Sequence, residues 1–133
     1  MGESADAGVI GPKKGIAMKI KATVASTFKD YENGWSYSKS ALMELAESAK
    51  NIPVIFRKNK IGTIEFGKYE NSKVIIVAEI EKTEETLNKK LFLVPGGLTD
   101  FETTGDIIQK CIVHQFFLTE NPSDKTLTTF EII

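Results

Sequence analysis

Residues 38–62, SKSALMELAESAKNIPVIFRKNKIG, constrain the fold of this chain more than any other stretch, because they fix the order helix, strand, turn, strand. Leu42, Leu45, Ala46 and Ala49 recur at the i, i+3, i+4, i+7 spacing of one helical face, and Ser38 or Ser40 offers a hydroxyl to cap the first turn. The spacing predicts a helix over residues 40–50. Pro53 ends it and opens an apolar run of strand length, Pro53 to Phe56. So short a helix is stable only when its apolar face packs on something, and the strands on either side supply the surface.

Those strands are legible from alternation and turn chemistry. Residues 18–26, MKIKATVAS, place Met18, Ile20, Ala22 and Val24 on one face and Lys19, Lys21 and Thr23 on the other, the period of a half-buried strand. Residues 30–35, DYENGW, carry an Asn-Gly turn signal between aromatics. Strands over residues 61–69 and 73–82, joined by Glu70, Asn71 and Ser72, complete a β-meander with residues 53–56. Thr83 can cap a single helical turn over residues 83–88, with Glu84 and Glu85 at its positive end. Residues 91–94 read as a short strand stopped by Pro95, Gly96 and Gly97, and residues 98–105 as a polar loop. The run 106–119 reads as one long strand, apolar on both faces, either central in its sheet or bending from one sheet to another at a barrel corner. A turn at Asn121, Pro122, Ser123 and Asp124 leads to a closing strand over residues 126–133. The expected fold is mainly β with one main helix (α+β): a small antiparallel β-barrel or strongly bent sheet with a helix packed on it. Residues 18–133 form a single β-rich domain, preceded by an extended N-terminal arm, residues 1–17. The arm holds four of the ten glycines and few large apolar groups, so burial cannot offset the entropy of ordering it unless neighbours hold it.

Composition excludes several functional classes. The 133 residues carry 17 Lys plus Arg against 18 Asp plus Glu, so no net field draws the chain to nucleic acid or to an anionic membrane. One cysteine, Cys111, rules out an intrachain disulfide framework and a thiolate metal cluster, and suits a reducing compartment. No run approaches the roughly 18 apolar residues of a membrane span, and the first 17 residues lack the apolar core of a secretory signal, so a cytoplasmic origin is expected.

The chemistry-bearing residues are few. His114, the single histidine, is the sole imidazole for general base or metal work, but its mid-strand setting fits a hydrogen-bonded structural role, and zinc needs three or four ligands. Glu79 and Glu81 share a strand face, where paired carboxylates can do acid and base work; Lys73, Lys82, Lys89 and Lys90 are expected to neutralise them. Gly96 and Gly97 lack the Lys and Ser or Thr of a phosphate loop and serve as a turn. Arg57, Lys58 and Lys60, beside Phe56, form the one dense basic cluster outside the arm, a candidate for single-stranded nucleic acid on a small barrel; Glu65, Glu70, Glu79 and Glu81 nearby favour a solvated turn instead.

Three segments together resemble the phage prohead proteases, a β-barrel family related to the herpesvirus assembly proteases: the helix followed by Ile52, Pro53 and Val54; Lys60, Ile61 and Gly62, similar to the Ile-Gly after the family's catalytic histidine; and FFLTENPSD, residues 116–124, similar to the last barrel strands. The family's histidine would fall near Arg57 or Lys58 and its serine near Phe117, so neither half of that pair is in place. A hydroxyl without a base is a weak nucleophile. The resemblance therefore implies a protease-like barrel without catalytic residues, cofactor or metal. It would be a phage capsid decoration or auxiliary protein, made in the host cytoplasm, carried on the virion and bound to the major capsid protein, to other virion subunits or to copies of itself. The expected contacts are Val9, Ile10, Pro12, Lys13, Lys14 and Ile16 in the arm, Arg57, Lys58 and Lys60 in the turn, and the 98–105 loop. The alternatives are a small single-stranded nucleic-acid-binding barrel and a prohead-type peptidase with an unrecognised site that includes His114.

Overall fold

The computed structural model describes residues 17–27, 35–122 and 127–133. The arm contacts Val9, Ile10, Pro12, Lys13, Lys14 and Ile16 lie outside the described residues, as does most of the Asn-Gly turn before Trp35. The chain is mainly β, with few helices. In order, the elements are β1 (Ala17–Ser26), β2 (Ser36–Tyr37), α1 (Lys39–Ser48), β3 (Pro53–Phe56), β4 (Asn59–Glu70), β5 (Lys73–Glu81), α2 (Glu84–Asn88), β6 (Phe92–Gly96), β7 (Thr99–Thr104), β8 (Ile107–Ile112), β9 (Gln115–Thr119) and β10 (Glu131–Ile132).

Seven strands form one sheet in the order β10-β1-β5-β4-β3-β9-β6, and three form a second in the order β2-β8-β7. The large sheet curls into a half-barrel, bringing β6 back into contact with β1. Register shifts between Thr23 and Ala25, Val54 and Ile55, and Ile64 and Phe66 mark irregularities of the kind that bend a strand and increase its twist. On the concave face Ile20, Val54, Ile64, Ile76, Ile80 and Phe116 are at most 1% exposed. The alternation read in residues 18–26 is the cause on β1, where Met18, Ile20, Ala22 and Val24 are buried and Lys19 and Lys21 exposed.

Helix α1 sits on β4 and β5 and reaches β8. Ser38 caps it, its Oγ accepting from the Ala41 amide at 3.1 Å, and Leu42, Leu45 and Ala46 are buried as their spacing predicts. Gly67 makes this seat: a Cβ there would lie 2.8 Å from the Ala46 carbonyl oxygen and 2.7 Å from Ile76 Cδ1. Beyond the helix, Asn51 takes a positive φ of 71°, and its amide donates to the Ile64 carbonyl at 2.9 Å, tying the helix exit to β4. Thr83 caps α2 as expected, and the buried Thr86 hydroxyl donates to the Glu81 carbonyl at 3.0 Å.

The structure corrects the sequence reading in five places. Residues 98–105 are not a loop throughout: β7 spans Thr99–Thr104 and turns at Gly105 (φ 62°) to pair with β8. β6 does not stop before Pro95, because it is an edge strand, where a residue without an amide hydrogen is tolerated. The run 106–119 is two strands, β8 in the small sheet and β9 in the large one, broken at Val113 and His114, so it bends between sheets. The pairing is not wholly antiparallel: β9 runs parallel to β3 (Phe116 opposite Val54) and β2 parallel to β8 (Ser36 opposite Ile107), because β9 enters the large sheet from that corner rather than through a hairpin. The closing strand shrinks to Glu131 and Ile132 against β1, while the Phe130 amide donates to the Leu91 carbonyl at 3.1 Å.

Candidate functional site

Between the curled sheet and the small sheet lies a half-open cavity of about 900 Å³. Val24 and Ala25 of β1, Val94 and Pro95 of β6, and Phe117 and Leu118 of β9 form its large-sheet walls. The small sheet closes it with Tyr37, Phe101, Thr103 and Ile108, and Trp35 lies beside β2. Leu98, and past β9 Asn121, Pro122 and Leu127, also line it. Among the described residues none of those lining it is ionisable at neutral pH; its hydrogen-bonding side chains are the Trp35 indole N–H, Tyr37, Thr103, Thr119 and Asn121. Gly96 shapes the wall at Phe117, since any side chain at that position would overlap the Phe117 ring. The position where the resemblance would put a serine thus carries a cavity-lining phenyl ring.

Arg57 and Lys58 form the two-residue turn between β3 and β4, both in the left-handed region with φ of 51° and 68°. Side chains at such φ cost about 1–2 kcal/mol per residue. Arg57 is engaged within the chain: its guanidinium pairs with Glu85 of α2 and lies 5.0 Å from the Phe56 ring centroid. Lys58 and Lys60 are exposed, so the turn presents two lysines and a neutralised arginine rather than a cationic patch.

His114 lies in the corner between β8 and β9 and not mid-strand. Its Nε2 is 2.8 Å from Thr99 Oγ1, and the Thr99 hydroxyl donates to Asp100 Oδ2 at 3.1 Å. With the hydroxyl proton directed to Asp100, Nε2 is the donor to Thr99, the reverse of what a histidine activating a nucleophile requires. The exposed trio pins the start of β7 to the corner where β8 leaves the small sheet. Glu79 stands opposite Lys19 and Thr63, and Lys19 bonds Glu65 at 3.4 Å. Of the lysines expected beside Glu79 and Glu81, Lys73 starts β5, at the far end from Glu81, and Lys89 pairs with Glu120 at 3.9 Å. Among the described residues no group of three His, Cys, Asp or Glu could hold a metal, and no helix is long and apolar enough to cross a membrane. Cys111 of β8 is half-buried; burial, and secondarily the Glu44 carboxylate, push its thiol up.

Sequence reasoning missed the cavity. Its one local signal was Phe101, an aromatic set between Asp100 and Glu102 in a stretch read as polar loop. Its walls come from strands far apart in the chain, and no spacing in the sequence announces them. No family model, curated protein or solved structure matches this chain.

Proposed function

We propose that this chain is a non-enzymatic structural protein that attaches to a larger assembly, in the manner of a phage capsid decoration protein bound to the major capsid protein, with the projecting small sheet, both of whose faces carry exposed apolar residues, as its docking element. One observation carries the reading. Among the described residues, four of the nine exposed large apolar side chains, Trp35, Phe101, Ile107 and Ile112, lie on or beside this three-stranded sheet, and every residue of its outer strand β7 is exposed. Apolar side chains gathered on a small projecting sheet contribute little to folding and are suited to burial against a partner. The segment 98–105, expected as a contact loop, supplies that outer strand. Arg57, Lys58 and Lys60 are secondary in this reading, because Arg57 is already paired.

The test is co-sedimentation of the full chain with empty phage capsid shells assembled from a major capsid protein of the same source. Saturable binding is expected, weakened at least about tenfold, about 1.4 kcal/mol, by the double variant Ile107→Thr and Ile112→Thr without loss of the folded state. A wild-type chain that stays in the supernatant at every shell concentration would sink the proposal.

A further inference from the structure

We propose that the cavity between the two sheets is a binding site for a small, uncharged, ring-bearing molecule that carries a hydrogen-bond acceptor. This goes beyond attachment: Trp35 and Phe101 figure in both readings, but the cavity lies within one copy of the chain and its occupancy is tested without shells.

Three observations converge on that class of ligand. The volume, about 900 Å³, falls within the roughly 300–1,000 Å³ of sites that enclose small organic molecules. Four aromatic side chains, Trp35, Tyr37, Phe101 and Phe117, contribute to the wall, and stacked or edge-on contacts between rings add to simple area burial. The Phe117 ring occupies space that only a glycine at position 96 leaves open, so this face of the wall is built into the β6 and β9 pairing. The ligand's charge follows from the lining: among the described residues no lining side chain is ionisable at neutral pH, so an ionic group drawn against them would lose its hydration without compensation. Its polarity follows from the few hydrogen-bonding groups. The Thr119 oxygen already accepts from the Asn121 amide at 3.1 Å, which leaves its hydroxyl hydrogen to donate to an acceptor on a guest.

The same scarcity argues against a polypeptide guest. An extended peptide brings an amide and a carbonyl with every residue, and among the described residues one indole N–H, three hydroxyls and one carboxamide cannot satisfy several of each. A compact molecule with one acceptor leaves nothing unpaired.

The chain contains its own reporter, because Trp35 is its single tryptophan and lines the cavity. The experiment titrates the full chain with prodan, a neutral naphthalene ring system carrying a ketone acceptor, and in parallel with anilinonaphthalene sulfonate, a naphthalene of similar size bearing a sulfonate. The neutral probe is expected to quench Trp35 with sensitised probe emission, saturating at one probe per chain, and the sulfonate to bind at least about tenfold more weakly because its charge would be buried unpaired. Thr103→Phe, which fills the space from an exposed strand, and Phe101→Ser, which removes a wall ring, should each weaken the neutral probe at least about tenfold with an unchanged far-ultraviolet circular dichroism spectrum. No saturable transfer from Trp35 would overturn the site. So would equal or tighter binding of the sulfonate, or unchanged affinity in both folded variants.

Discussion

In the curled sheet Ile20, Ile76, Ile80 and Phe116 are fully buried, whereas on the small sheet Ile107, Ile112 and Phe101 stand 37%, 44% and 51% exposed. The apolar residue types are alike; what differs is cover. The large sheet has α1 across it and its own far edge curling back, so each concave-face side chain is enclosed. The small sheet has α1 against β8 and ends at β7, an outer strand with solvent beyond it. Burial near 25 cal/mol per Å² therefore accumulates in one sheet and hardly at all in the other. The large sheet holds the fold, and the small sheet holds apolar surface where a partner or ligand can use it.

The comparison breaks most sharply on one pair of phenylalanines. Phe116→Ala removes a fully buried ring between β3 and β6 and should cost about 3–5 kcal/mol, seen as a large fall in the denaturation midpoint. Phe101→Ala, made in the small sheet, should stay within about 1 kcal/mol, because half of its ring already meets water. Similar losses from the two variants would refute the division between sheets. A smaller effect is expected at the helix seat. Replacing glycine by alanine inside a strand ordinarily helps by about 0.5–1 kcal/mol, yet Gly67→Ala should cost about 1–3 kcal/mol, since the new methyl meets the Ala46 carbonyl, which is backbone and cannot turn aside. A neutral or stabilising result would mean that α1 is free to lift from β4.

The same division explains what the sequence made legible. β1, β3, β4 and β5 announce themselves because alternation is local and two-residue turns sit between them, Arg57 with Lys58 and Asn71 with Ser72, all four at positive φ. The caps at Ser38 and Thr83 are equally local, each a hydroxyl within three residues of the amide it serves. β7 was not legible: Thr99 to Thr104 mixes Asp and Glu with threonine, and only pairing with β8 makes it a strand. The run 106–119 was half legible: a bend from one sheet to another was one of its two readings, but the position of the break at Val113 and His114 was not, since the apolar pattern runs through it; the corner is imposed by β9 joining β3. The cavity inherits both gaps. Phe101 stands on the unread strand and Phe117 just past the corner whose position was unread, so its walls assemble only when the two sheets meet.

The smallest effect sharpens the comparison at the seam where the small sheet does have cover. Cys111 faces a buried environment and the Glu44 carboxylate of α1, and both favour the neutral thiol. An unfolded chain would lose this proton near pH 8.5, while the folded chain keeps it to higher pH. The folded state then binds more protons than the unfolded one, so the contribution of Cys111 to stability is complete below about pH 8.5 and declines as the pH rises past it. Alkylation by iodoacetamide at pH 8 should accordingly be slower in the native chain than in the urea-unfolded chain, and Glu44→Gln should speed it modestly without restoring the unfolded rate, because burial is the larger cause. A native rate equal to the unfolded one would mean that α1 does not cover β8.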